Sequence, residues 1–427
     1  MIFRGTRMGK INKEEKSWIL YDWANSAYSM TITSTILPIY FKMVAEQGGM
    51  KSSTSTALWG YTISIATFIV AMIAPILGNI ADYKGNKKKL FNLFFIIGLI
   101  CTMFLIFVPE DEPVFLLIIY TLSTVGFCGA NVFYDSFLVD VTTEDRMDYV
   151  SSMGFGMGYI GSTIPFIICI IVVLLSQNGI IQISVPLACK ITFLITALWW
   201  GGFTIPLLKN VNQKYYVEKQ DSIIKNSFKD LINTLRKIKK DRAILLFLIA
   251  YFFYIDGVHT IIGMATSYGT DLGISMTALL VILLLTQFVA FPFTIIYGKL
   301  SEKYGGKKMI FVGIVTYALI CCYGYFIKSA VDFWILAMLV GSAQGGIQAI
   351  SRSYFAKLVP KEKSAEYFGF YSIFGKFAAV LGPFLVGIVT QITGKTNNGI
   401  ISLIILFIIG GAVMIKVPDV EKVVTKV

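Results

Sequence analysis

Apolar residues in this chain come in long stretches separated by short polar turns, and each stretch runs to roughly twenty residues. A helix of that length crosses a hydrocarbon layer about 30 Å thick. The pattern predicts twelve spans, at 17–45, 57–80, 90–108, 114–139, 149–176, 184–208, 243–268, 274–298, 308–328, 331–357, 365–391 and 398–416. Barrel strands are excluded, because they would alternate apolar and polar positions over short segments.

The polar turns carry a second regularity. Residues 78–90 read GNIADYKGNKKKL and residues 298–310 read GKLSEKYGGKKMI, each following an even-numbered span. The copies share Gly78 with Gly298, Asp82 with Glu302, Gly85 with Gly305, and a lysine run that leads into the next span. An offset of 220 residues, about half the chain, marks a duplicated bundle, a construction common among secondary transporters. The one long polar segment, 209–242, falls between spans 6 and 7. The expected organisation is therefore an all-α integral membrane protein with two pseudo-symmetric six-helix bundles, 1–208 and 242–427, and a linker at 209–241. Within the linker Ile224, Phe228, Leu231, Leu235 and Ile238 recur at helical spacing with Lys and Arg opposite. That describes either a basic amphipathic helix on the membrane surface or a plain helical connection.

Composition fits a membrane protein. Of 427 residues, 56% are hydrophobic and 15% charged, more apolar side chain than a soluble fold can hide. Residues 1–17 are basic and polar, so no secretory signal is expected. About 31 of the 37 Lys and Arg fall on one side of the twelve-span topology, the side that holds both termini. Both termini are accordingly expected in the cytoplasm of a multi-pass inner-membrane protein. The net charge of +12 is then a topogenic signal, and no nucleic-acid partner is implied. Cys101, Cys128, Cys169, Cys189, Cys321 and Cys322 lie in or at the ends of the spans without metal-ligand spacing, and read as small packing residues.

Polar side chains inside the spans are where function is expected, since charge in hydrocarbon is costly. Span 1 carries Asp22, Asn25, Ser26, Ser29 and Thr33. Span 4 carries Thr124, Cys128, Asn131 and Asp135 on one face, with Tyr134 beside them. Span 7 carries Asp256, His259 and Thr260, and span 10 carries Gln344, Gln348 and Arg352. The strongest stripes thus recur on every third helix, with Gln287 in span 8 and Lys376 in span 11 as exceptions.

These features together resemble the major facilitator superfamily, whose cavity is lined by helices 1, 4, 7 and 10. Its loop signature, Gly-x-x-x-Asp-(Arg/Lys)-x-Gly-(Arg/Lys)-(Arg/Lys), is similar to Gly78, Asp82, Gly85 and Lys87 in the first copy. Tyr83 and Asn86 depart from it. Gly298, Glu302, Lys303, Gly305 and Lys307 follow the second copy more closely. The segments WILYDWANSAY (18–28), SSMGFGMGYIGS (151–162), FLIAYFFYIDGVHT (247–260) and GGIQAISRSYFAKLVP (345–360) are similar to its vacuole-effluxer-like branch, which includes an autophagy-linked amino-acid effluxer. The resemblance implies efflux or exchange of a small solute by a monomer. The absence of arginine in span 4 and of a Gly-Pro pair in span 5 points away from drug/proton antiport.

Substrate or coupling roles are expected for Asp22, Asn25, Asn131, Tyr134, Asp256, His259, Gln344, Gln348 and Lys376, an acid, base and amide set suited to a zwitterion. Asp256 reads as a proton or substrate site, or as the cap of a broken helix. Lys376 reads as a partner of Asp256, a carboxylate binder or a snorkelling side chain. A shift of 217 residues lays Asp135 on Arg352 and Asp140 on Lys357, opposite charges at equivalent positions. That suggests an inner gate, or else static charges at two helix ends. Gly78, Asp82, Gly85, Gly298, Glu302 and Gly305 belong to the same gating machinery. Gly154, Gly158 and Gly161 read as a close packing face. Trp18 and Trp23 read as interfacial anchors. His259 is the only histidine, so neither a metal nor a cofactor is expected. With no phosphate-binding loop and no nucleophile–base set, the chain does not read as an enzyme; a solute or proton gradient would drive it. The alternative function on this scaffold is a lipid or lipid-linked glycan flippase.

Overall fold

The structure, a computed structural model, describes residues 10–218 and 233–419. Eleven helical segments among these residues are long and apolar enough to cross a membrane. The twelfth crossing is the first in the chain. It runs through helix Lys13–Tyr28, a π-helical turn at Ser29–Thr33 and helix Ile36–Gln47. Its start is fixed by a capping box: Asn12 Oδ1 accepts the Glu15 N–H, and Glu15 Oε2 accepts the Asn12 N–H. Spans 2 to 6 are the helices Ser52–Asp82, Asn86–Phe104, Pro113–Ser136, Met147–Gln177 and Val185–Asn210. Spans 7 to 10 are Arg242–Asp271, Met276–Tyr304, Gly306–Phe326 and Ala330–Leu358. Span 11 breaks into Ser364–Ala378 and Leu381–Thr393, and span 12 into Thr396–Ser402 and Ile404–Lys416.

Within the first half, span 1 packs against spans 5 and 6 and span 4 against spans 2 and 3. Within the second, span 7 packs against span 12 and span 10 against spans 8 and 9. The halves meet through span 2 on span 11, span 5 on spans 8 and 10, and span 4 on span 11. The glycines of span 5 let span 1 approach closely. A Cβ at Gly154, Gly158 or Gly161 would lie 2.4, 2.6 or 2.4 Å from Asp22 Oδ2, Ser26 Oγ or Trp23 O respectively. Large apolar side chains such as Ile65, Phe107, Leu319, Phe384 and Ile408 are exposed around the outside, as a lipid-facing belt requires.

The first and last described residues and the described start of the linker lie on one face, called here the terminal face. Tyr354 Oη donates to Pro418 O at 2.9 Å, and Lys214 pairs with Glu14. The linker is fastened to the first half by Val217 N–H to Asp82 O (2.8 Å), Lys84 N–H to Val217 O (3.2 Å) and Gln213 Nε2 to Ala81 O (3.1 Å). Ile224, Phe228 and Leu231 lie outside the described residues. Residues 233–240 are helical, with Thr234 and Ile238 buried and Leu235 exposed. Thr234 lies beside Glu366 at the start of span 11.

Candidate functional site

Span 10 delivers Arg352 to the terminal-face end of the first half, where it is almost completely buried. Its Nη1 donates to Asp135 Oδ1 and its Nη2 to Asp22 Oδ2, each at 3.0 Å. Nε donates to Ser151 Oγ at 3.0 Å and Nη2 to Ser151 O at 3.1 Å. The guanidinium lies 4.6 Å from the Trp18 ring and 4.3 Å from that of Phe155. Two carboxylates, a serine and two aromatic faces from the first half therefore close on one cation from the second. Such fork geometry satisfies the charges that burial would otherwise leave costly. Asp22, expected with the substrate set, sits in the same cluster as Asp135. Trp18 is not at an interface: it is buried, stacks on Tyr134 with ring centres 4.6 Å apart, and donates Nε1–H to Tyr134 O at 2.9 Å. Its role is to wall the arginine pocket.

The first loop copy forms a second closure. Both oxygens of Asp82 accept backbone N–H groups from the other half, Ala365 and Glu366, each at 2.9 Å. The loop acid thus caps the start of span 11, where unpaired N–H groups and the helix dipole favour an anion. Gly78 allows the approach, since a Cβ there would meet Ala365 O at 2.4 Å. Gly85 turns the chain with φ +74°, a conformation other residues rarely adopt. The next lysine, Lys87, is buried and bridges Asp140 Oδ2 and Ser364 Oγ, both at 2.8 Å. Asp140 also accepts the Lys214 and Tyr215 N–H groups, at 2.8 and 3.0 Å.

The second copy works differently. Gly298 again permits close approach, with its Cβ position 2.6 Å from Ser152 Cβ, and Gly305 ends span 8 at φ +95°. Glu302, however, makes no bond to the start of span 5 among the described residues. An acid already stands there. Asp148 accepts Ser301 Oγ at 2.5 Å and Ser353 Oγ at 2.6 Å, and pairs with Lys357 at 2.8 Å. The two closures thus differ in which element supplies the carboxylate.

Toward the middle of the bundle the expected residues separate. Asn25 Nδ2 donates to Asn131 Oδ1 at 2.9 Å, joining spans 1 and 4. Gln348 Nε2 donates to Gln344 O at 2.9 Å and lies within reach of His259. Gln344 also lines, with Gln287, Tyr268, Phe333 and Leu336, a largely apolar cavity inside the second half. Asp256 turns to span 11, where its Oδ1 accepts the Gly382 N–H at 3.0 Å. Lys376 lies in a cleft of about 530 Å³ between spans 2 and 11, with Ile63, Ser64, Phe68, Phe377 and Val380. It is not a partner of Asp256, whose polar contacts among the described residues are Gly382 and Thr260. No group of metal-ligating side chains occurs among the described residues.

Sequence reasoning passed over Asp148, Ser151 and Ser364, and named Lys87 only as part of the loop signature. The signal for Asp148 was present: the 217-residue shift lays it on Ala365, the residue that Asp82 caps.

The Asp82 loop acid caps a helix start of the other half, and sequence comparison gives the family. The family described as "Vacuole effluxer Atg22 like" matches residues 51–426. The chain belongs to this family. Among Atg22-like relatives, the MFS-type transporter YxiO of Bacillus subtilis is 57% identical over 412 residues, covering 96% of each chain. Autophagy-related protein 22-2 of Aspergillus clavatus is 23% identical, over 92% of this chain and 87% of its own length. Solved structures show the same fold. A proton:xylose symporter, XylE, superposes with a TM-score of 0.71 at 12% identity, over 95% of this chain and 96% of its own. FucP in its outward conformation gives 0.69 at 12% identity, over 95% and 98%. This Atg22-like chain is a multi-pass membrane transporter of the major facilitator type, not an enzyme.

Proposed function

We propose that the chain moves a small polar, zwitterionic solute such as an amino acid by alternating access, exporting or exchanging it, with the terminal face in the cytoplasm. The observation that carries the reading is the closure of Asp135 and Arg352, opposite charges at equivalent positions of the two halves, at 3.0 Å. A cleft bearing Lys376 lies between spans 2 and 11. Sealing of one face by charges drawn from both halves is what one half of an alternating cycle requires. The effluxer-like family description favours export, and the basic residues of the terminal face support its cytoplasmic placement. Asn25, Asn131, Gln344, Gln348, His259 and Lys376 are the polar groups left for a solute once Asp22, Asp135 and Arg352 neutralise one another.

Reconstituted into liposomes, the protein should exchange zwitterionic amino acids or short peptides, measured by radiolabelled counterflow with and without a proton gradient. Absence of exchange across such a panel would remove the proposal. The cleft between spans 2 and 11 also favours a second reading. It opens sideways between helices and sets one cation among apolar side chains, as a lipid phosphate would require. Scrambling of a fluorescent lipid in the same vesicles, without amino-acid counterflow, would select that reading.

A further inference from the structure

Span 11 is broken where it borders the cleft. Its first helix ends at Ala378, Ala379 and Val380 carry the break, and the second helix starts at Leu381. Phe377, Ala379 and Val380 face the cleft. On the other side of the break stands Asp256 of span 7, with no exposed surface. Its Oδ1 accepts the Gly382 N–H at 3.0 Å and faces Thr260 Oγ1 at 3.4 Å, while its Oδ2 has no partner among the described residues. Gly382 fits because it lacks a side chain: a Cβ there would lie 2.0 Å from Thr260 Oγ1 and 2.9 Å from Asp256 Oδ1.

Opposing forces act on this carboxyl. An N–H at a helix start favours the anion. Burial with one oxygen bare favours the neutral acid. The groups facing it from the packed elements are Thr260 on its own helix and the Gly382 N–H on span 11. His259, one residue before Thr260, is partly exposed and reaches Gln348 of span 10. Lys376, on span 11, faces the cleft. No other charged side chain among the described residues lies against Asp256. Two oxygen-bearing side chains, with an N–H aimed at one of them, offer too few ligands and the wrong dipole for a sodium ion. A proton needs only Oδ2.

We infer that Asp256 is a proton-binding site that latches the break in span 11, so that ionised Asp256 holds the Gly382 N–H and protonated Asp256 releases it. The acid form is a weaker acceptor, and the helix Leu381–Thr393 is then free to tilt about Ala379 and Val380. Because the same break borders the cleft, proton binding on one side changes the opening between spans 2 and 11 on the other. The inference deepens the carrier reading by naming the coupling ion and the element it moves.

The test reads conformation rather than transport, because the solute is unidentified. Spin labels on Ser64→Cys and Phe384→Cys, in the full chain freed of its native cysteines and placed in lipid nanodiscs, report the distance between spans 2 and 11. Two distance populations should exchange with pH about a single midpoint, their ratio changing by up to about tenfold per pH unit for one linked proton. Asp256→Asn should be flat, fixed at the low-pH populations. Asp256→Glu should titrate with a displaced midpoint, and His259→Gln should titrate as wild type does. If Asp256→Asn does not fold, displaced midpoints in Asp256→Glu and Thr260→Val serve in its place. A pH-invariant wild type, a normally titrating Asp256→Asn, a flat His259→Gln, or populations that follow sodium replaced by choline would each overturn the inference. Amino-acid counterflow that persists beside such a result would leave the carrier reading standing.

Discussion

Arg352→Gln opens the terminal face and abolishes transport. The change leaves Asp22 and Asp135 in the closed state without the cation that both contact at 3.0 Å. Removing one member of a buried ion pair costs about 3–5 kcal/mol, because the remaining charge is uncompensated. In the open state water reaches both carboxylates, so the cost falls on closure alone. A shift of about 5.5 kcal/mol would carry a two-state equilibrium from 1:99 to 99:1, so this loss inverts most resting preferences. An impermeant maleimide should then label Ala349→Cys, buried in the closed state, rapidly from the terminal face of a cysteine-free background. Adding Asp22→Asn and Asp135→Asn removes the stranded charges and should restore part of the protection. Labelling no faster than in the parent, or a triple variant as open as Arg352→Gln, would show that the cluster is not a gate.

Gly78→Leu should cost about five- to 150-fold in transport, the effect of the 1–3 kcal/mol that forced overpacking imposes on the closed state. The atoms nearest its Cβ are all backbone: Ala365 O at 2.4 Å, Ala365 C at 2.8 Å and Glu366 Cα at 2.8 Å. No rotamer change can make room, so span 2 must part from span 11 and Asp82 must lose Ala365 and Glu366. Gly60, on the same helix, has nothing within 4 Å of its Cβ. Gly60→Leu should therefore transport normally, and comparable losses at both positions would assign the effect to the helix rather than to the closure.

The spans, their number and the duplication were legible because apolar runs and loop signatures are local properties of the chain. Helix breaks were not, since residues 17–45 and 365–391 read as continuous while the π turn at Ser29–Thr33 and the gap at Ala379 and Val380 interrupt them. Spacing placed Asp135 and Arg352 on matching faces, and the structure sets them 3.0 Å apart. It could not show that Asp22, one turn into span 1, reaches the same guanidinium, because that depends on how closely the glycines of span 5 admit span 1. Asp148 escaped notice for a related reason. At the mouth of an apolar run an acid reads as a solvated helix start, and only the packing of spans 5, 8 and 10 turns it into a shared acceptor for Ser301, Ser353 and Lys357.

The fastening of the linker has a mechanical corollary. Gln213 and Val217 tie its beginning to the first bundle, and Thr234 and Ile238 seat its end beside the second. The described bonds at Arg352, Asp82 and Asp148 run directly from one bundle to the other and not through the linker. A polypeptide nicked in the linker retains each clasp that joins one bundle to the other, and could be supplied as two separately translated pieces.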